Sequence, residues 1–177
     1  MEISTKPVAF IRFLEDQRNL DCHLFKWDTH LPSEAKALEG FYAIWRSKFD
    51  GQNFPAWKDF KFEDFKGWHS NLRVMTLGKN LSDPKHNLII GQTFSQYWGK
   101  RTIYEQIQDG NPPSKDTIKK YYRYLQYIYD HHYGFNIGAI PKNDGRLSSV
   151  LWLELPLADN GRDVTHIISA IYTGIRV

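Results

Sequence analysis

The stretch from Ser114 to Ile175, SKDTIKKYYRYLQYIYDHHYGFNIGAIPKNDGRLSSVLWLELPLADNGRDVTHIISAIYTGI, decides the fold. Its first part, Ser114 to His132, reads as one amphipathic helix. Ile118, Tyr121, Tyr122, Leu125, Ile128, Tyr129 and His132 recur at helical spacing, while Lys119, Lys120, Arg123 and Asp130 fall largely off that stripe. Ser114 suits the N-cap, Asp116 the positive end of the helix dipole, and Gly134 lies just past the end. Three strand-like runs follow, Phe135–Pro141, Leu147–Leu157 and Thr165–Ile175. The linkers between them carry Asp144-Gly145 and Asn160-Gly161, pairs that tolerate positive φ and so favour tight antiparallel turns. A helix packed on such a meander leaves a concave interior, which suits holding or sensing a molecule.

Upstream, Glu34 to Asp50 reads as a helix, with Ser33 as N-cap and Gly51 as stop. Leu38, Phe41, Tyr42, Trp45 and Phe49 form its single apolar stripe, which predicts packing on the sheet or on a second subunit. Asn71–Leu77 and Leu88–Gly91 read as two further strands. Phe94 to Gln108, broken at Gly99, reads as irregular or helical, and Asp109-Gly110-Asn111-Pro112-Pro113 stops it. The expected fold class is therefore α+β, a five-stranded antiparallel sheet with helices over one face. Residues 1–32, punctuated by Pro7 and Pro32, are expected to form an N-terminal arm, and residues 33–177 a single domain with its leading helix.

Composition bounds the function classes. The 177 residues carry 41% hydrophobic and 24% charged side chains, ordinary for a globular chain with a true core. Six Trp, ten Tyr and eleven Phe supply large buried areas and suit apolar ligand walls. A net charge of +3 is too small to argue for nucleic acid. The single Cys22 excludes an internal disulfide, and no secretory leader or membrane-length apolar run is read, so a soluble cytoplasmic protein is expected.

The element order, with three local passages, resembles a PAS domain. Ile89-Ile90-Gly91-Gln92-Thr93-Phe94-Ser95-Gln96-Tyr97-Trp98-Gly99 is similar to the strand–Gly-x-Thr–helix–Gly passage of a small stand-alone PAS-like family found mainly in alphaproteobacteria. Leu155 to Gly161, followed by Val164 to Ile171, resembles that family's final hairpin, and Trp45, Gly51 and Pro55 its leader. The likeness covers roughly residues 38–173. It implies a bacterial, non-enzymatic sensory or adaptor module for signal transduction, a homodimer that binds a small apolar or mixed ligand, a signalling partner protein, or both. It also implies a cavity between the sheet and the helices of residues 93–108 and 114–132. The implied ligand-binding residues are Tyr97, Trp98, Tyr104, Tyr121, Leu125, Ile128, Leu151, Leu153 and Leu155. Alternation separates Leu151, Leu153, Leu155 and Leu157 from Val150, Trp152 and Glu154, and the all-leucine face is expected to meet the cavity.

Chemistry-bearing motifs are few. Flavin photosensors of this class need a cysteine in a Gly-x-Asn-Cys context, which Cys22 lacks, so covalent flavin chemistry is not expected. Haem is the cofactor alternative, with His132 on the helix stripe as axial ligand. Asp130-His131-His132 resembles a metal-binding triplet, but at a helix end its histidines suit the dipole and last carbonyls. His69 and His166 flank apolar positions as structural histidines do, and Glu63/Asp64 and Asp159/Asp163 sit in turns. No metalloprotease, P-loop, nucleophile-elbow or dinucleotide motif occurs. A small enzyme using His132 or His166 remains the competing class. Lys119-Lys120-Tyr121-Tyr122-Arg123-Tyr124 interleaves cations with aromatics, but helical spacing turns the cations to solvent, so neither nucleic acid nor membrane insertion is expected.

Overall fold

The computed structural model describes residues 3–15 and 17–174. Ile175, expected to end the final strand, lies outside them, as do Met1, Glu2, Arg176 and Val177 at the ends of the expected arm and domain. The sheet is antiparallel throughout and the class α+β, as expected, with seven strands instead of five. In chain order they are β1 (Ala9–Glu15), β2 (Arg18–Lys26), β3 (Leu72–Thr76), β4 (His86–Ile90), β5 (His132–Pro141), β6 (Leu147–Leu157) and β7 (His166–Thr173). They lie side by side as β1-β2-β5-β6-β7-β3-β4. The two extra strands come from the stretch expected as an arm. Its apolar clusters alternate at the strand period, so Ile11, Leu20, Cys22 and Leu24 are buried on one sheet face.

Among the described residues four α-helices cover the sheet: α1 (Glu39–Ser47), α2 (Gln92–Trp98), α3 (Ile103–Gln108) and α4 (Lys115–Tyr129). The turn before α1, Ser33–Leu38, is 3-10, so the expected helix splits in two and Ser33 makes no side-chain cap. Ser114 does cap α4, its hydroxyl accepting from the Thr117 N–H at 3.2 Å. α4 ends at Tyr129, and His132 opens β5 beside Lys26.

Two cores result, one on each face. Phe41 and Trp45 of α1 pack with Phe65, Phe135, Leu151, Leu153, Leu155 and Leu157. Phe94 and Tyr97 of α2 and Leu125 and Ile128 of α4 pack with Met75, Val150, Trp152 and Ile167. The alternation in β6 is as expected, but its facing is the reverse. The leucines lie under the leading helix, and Trp152 and Glu154 face the side of α2 and α4. The leucine row needs a fully dry cover, and α1 supplies it: the Trp45 indole N–H is spent on the Pro156 carbonyl at 2.9 Å.

The loop between β3 and β4 is wound around Lys85, whose side chain is wholly buried. Its ammonium donates to the carbonyls of Leu77, Asn80, Leu81 and Asp83 at 2.7–3.2 Å. Such burial would be costly without acceptors around the charge. Tyr129 of α4 donates to two of the same carbonyls, fastening the loop to the helix.

Candidate functional site

A cavity of about 250 Å³ opens between the sheet and α2, α3 and α4, slightly below the roughly 300 Å³ at which small-molecule pockets begin. The expectation of a sheet–helix cavity is met in place, though its lining differs from the one implied by the resemblance. Register builds its floor. Gly134 of β5, Glu154 of β6, Ser169 of β7 and Arg73 of β3 are cross-strand neighbours in one row, and Cys22, Asn136 and Trp152 are neighbours in the next.

Within the first row, Arg73 Nη2 donates to Glu154 Oε1 at 2.6 Å, and the Ser169 hydroxyl donates to the same oxygen at 3.2 Å. Both partners are buried. The Arg73 guanidinium also lies over the rings of Phe94 and Trp152, at 4.7 and 5.1 Å. Trp98 continues the row, tilted against Trp152 at 4.6 Å and with the Arg18 guanidinium 5.2 Å from its own centre. The two indoles are thus flanked by a guanidinium on either side, an arrangement in which burial makes each cation–ring contact stronger than at an exposed surface.

Tyr124 of α4 reaches down between these rows. Gly134 makes the space, since a Cβ there would run into the Tyr124 hydroxyl. Burial pushes the Tyr124 pKa well up, and the nearby Glu154 charge adds to it. Burial likewise raises the Cys22 pKa well above the usual thiol value, again with Glu154 adding, which favours the neutral thiol in the cavity wall. Asn136 Nδ2 donates to the Trp152 carbonyl at 3.3 Å.

The mouth is made by the β1–β2 hairpin, Arg101, and the Asn111-Pro112-Pro113 turn before α4. Glu15 clamps it, accepting from the Ser114 N–H at 2.7 Å. Among the described residues seven buried side-chain polar atoms have no hydrogen-bond partner. Five belong to residues lining this cavity: Arg18 Nε, Arg73 Nε, Trp98 Nε1, Tyr124 Oη and Trp152 Nε1. Buried polar atoms are nearly always paired, so this concentration marks the site.

Of the nine expected binding residues, Trp98 and Tyr121 line the cavity. Tyr97, Leu125 and Ile128 are in the core beside it, with the Tyr97 ring under the Lys142 ammonium. Tyr104 stands on the outer side of α3, edge-on to His86. Leu151, Leu153 and Leu155 are on the opposite sheet face. His132 is also corrected: outside the helix and away from the cavity lining, its Nδ1 meets the Tyr127 carbonyl at 3.1 Å. As placed, it is no axial haem ligand for this cavity. His131 stacks on Phe54 and bonds the Arg162 carbonyl. His166 lies 3.7 Å from Asp159, outside the lining. The His86–Glu105 pair at 2.8 Å is at the surface, where Glu105 also caps α3. No group of three His, Cys, Asp or Glu side chains among the described residues is arranged to hold a metal.

Sequence reading missed Arg73, Glu154, Asn136, Tyr124 and Trp152 as lining residues. A signal was present in Glu154 and Asn136, polar residues in the middle of strongly apolar strands.

No protein-family model matches the chain, and no curated protein matches it. A solved structure titled "Structure of an RNA-binding Light-Oxygen-Voltage Receptor" is similar at 12% identity with a TM-score of 0.42. The match covers 86% of this chain and 38% of that one, so the chain spans well under half of that protein.

Proposed function

We propose that the chain is a non-enzymatic, PAS-like sensory or adaptor module that binds a small molecule between sheet and helices and reports its presence to a partner protein. The observation that carries this reading is the gathering of unpartnered buried polar atoms around one cavity. A group that fills their hydrogen bonds gains what their burial otherwise costs. The mechanism is population shift. The ligand contacts the β1–β2 hairpin, the turn before α4 and α4 itself, and favours the arrangement in which they close together. That junction lies at the surface, where a signalling partner or a second copy of the chain can read it. A nucleic-acid platform is disfavoured on α4. Lys119 and Arg123 point to solvent, Lys120 pairs with Asp116 at 2.6 Å, and Tyr121 and Tyr124 face inward. Among the described residues no helix is long and apolar enough to cross a membrane.

Native mass spectrometry of the full chain tests the reading. It should show a species heavier than the polypeptide whose excess mass leaves on denaturation. A mass equal to the polypeptide alone, with no thermal upshift from any member of a millimolar small-molecule library, would overturn it.

A further inference from the structure

We infer that the cavity selects a small carboxylate-bearing aromatic acid over neutral or cationic molecules of the same shape. This rests on the reading of the cavity as a ligand site, and three independent properties of its wall support it. The first is polarity. Four of its five unpartnered buried polar atoms are N–H donors, and the fifth is the Tyr124 hydroxyl, which can donate or accept. A ligand that brings acceptors is matched, while one that brings only donors leaves both sets unsatisfied.

The second property is charge. Arg18, Arg73 and Arg101 line the cavity against the carboxylates Glu15 and Glu154. Glu15 accepts from the Ser114 N–H, and Glu154 accepts from Arg73 and Ser169 through one oxygen, Oε1. Arg101 is paired with Asp109 at 2.8 Å. Arg73 uses one N–H on Glu154 and keeps its Nε buried and unpartnered, as Arg18 does. Two guanidiniums therefore have capacity left, and a carboxylate is the group that fits a guanidinium edge with charge-assisted bonds.

The third property is shape. Trp98 and Trp152, with Tyr121, Met75 and Pro112, make flat, apolar walls between the two arginines. An aromatic body fits against them, and the volume of about 250 Å³ suits a single-ring molecule.

Benzoate, benzamide and benzylamine share one ring and carry negative, zero and positive charge at neutral pH. Each is titrated into the full chain while the indole N–H resonances of Trp98 and Trp152, assigned with Trp98→Phe and Trp152→Phe, are followed by NMR. Benzoate should shift both indole signals and saturate at least about tenfold tighter than benzamide, the ratio for roughly 1.4 kcal/mol from charge assistance. Benzylamine should leave both signals unmoved, and Arg18→Gln should erase the preference for benzoate over benzamide. Benzamide or benzylamine binding at these indoles as tightly as benzoate would overturn the selectivity while leaving the cavity a binding site. The same holds if the preference survives both Arg18→Gln and Arg73→Gln. No shift at either indole with any probe would sink the cavity reading itself, and the selectivity with it.

Discussion

The two faces of the sheet are built from the same kinds of residue and end in opposite states. On the α1 face, Trp45 is buried with its indole N–H bonded to a carbonyl, and the leucine row of β6 is sealed under Phe41, Trp45 and Phe65. On the α4 face, Trp152 and Trp98 lie tilted against each other in a cavity wall with indole N–H groups that have no partner. The first face is closed by apolar packing in which the Trp45 indole donor is satisfied. The second contains a buried ion pair, an arginine–indole stack and an opening. A fold can place stability on one side of a sheet and keep the other available for a guest, because strand alternation makes the two sides chemically independent.

The most damaging way to test this contrast is Leu153→Asp. It puts an unpaired charge into the dry face, and the chain should lose its cooperative thermal transition. That substitution cannot distinguish the faces, since both are buried, so gentler ones are needed. Leu153→Ala should cost about 2–5 kcal/mol in urea unfolding. Trp152→Phe keeps an aromatic ring in a wall that already borders open space, and should cost under about 1.5 kcal/mol. Equal losses for the two would contradict the division into a sealed face and an open one.

A second test of the contrast concerns the ion pair. Arg73→Met leaves Glu154 buried without its cation, and Glu154→Met strands the guanidinium. Each single change should cost about 3–5 kcal/mol, while the double substitution should recover most of that loss because it strands neither charge. Additive losses in the double-mutant cycle would show that the pair contributes little beyond its separate side chains. The recovered double variant should still lose benzoate binding, which separates what the pair does for the fold from what Arg73 does for a ligand.

Much of this was legible in the sequence, and the rest failed for identifiable reasons. The α4 stripe with its Ser114 cap, the two Asx-Gly turns and the parity of β6 are local, and all are present. Which side of β6 meets which helix is a tertiary choice. Both sides of Leu147–Leu157 are apolar enough to be buried, so parity alone could not assign them. The β1–β2 hairpin is not evident from the sequence because its edge strand leaves Phe10 and Leu14 exposed, which blurs the alternation. The cavity floor depended on register. Arg73, Ser169 and Glu154 are far apart in sequence and become neighbours only when β3, β7 and β6 pair. Tyr124 lies off the main helical stripe and is buried because Gly134 leaves room for it.

The smallest expected effect lies at the cavity mouth, where the Glu15 side chain ties the hairpin to the first turn of α4. Burial works to raise the Glu15 pKa, but hydrogen bonds from Thr117 and Ser114 outweigh it, with Arg18 assisting, and the net shift is downward from 4.5. A carboxyl whose folded-state pKa is depressed contributes stability above its unfolded pKa and loses it as pH falls through the folded value. Glu15→Gln keeps an acceptor for the Ser114 N–H and removes only the charge. The variant should therefore be less stable than the parent by under about 1 kcal/mol, the scale of a solvent-screened surface interaction. The difference should be constant from pH 8 down to about 5 and should disappear at lower pH, once Glu15 is protonated in both states. Urea unfolding at pH 7 and pH 3 measures it directly. A difference that persists unchanged at pH 3 would assign the effect to shape at the mouth instead of charge, and would remove the electrostatic clamp from the contrast between the sealed and the open face.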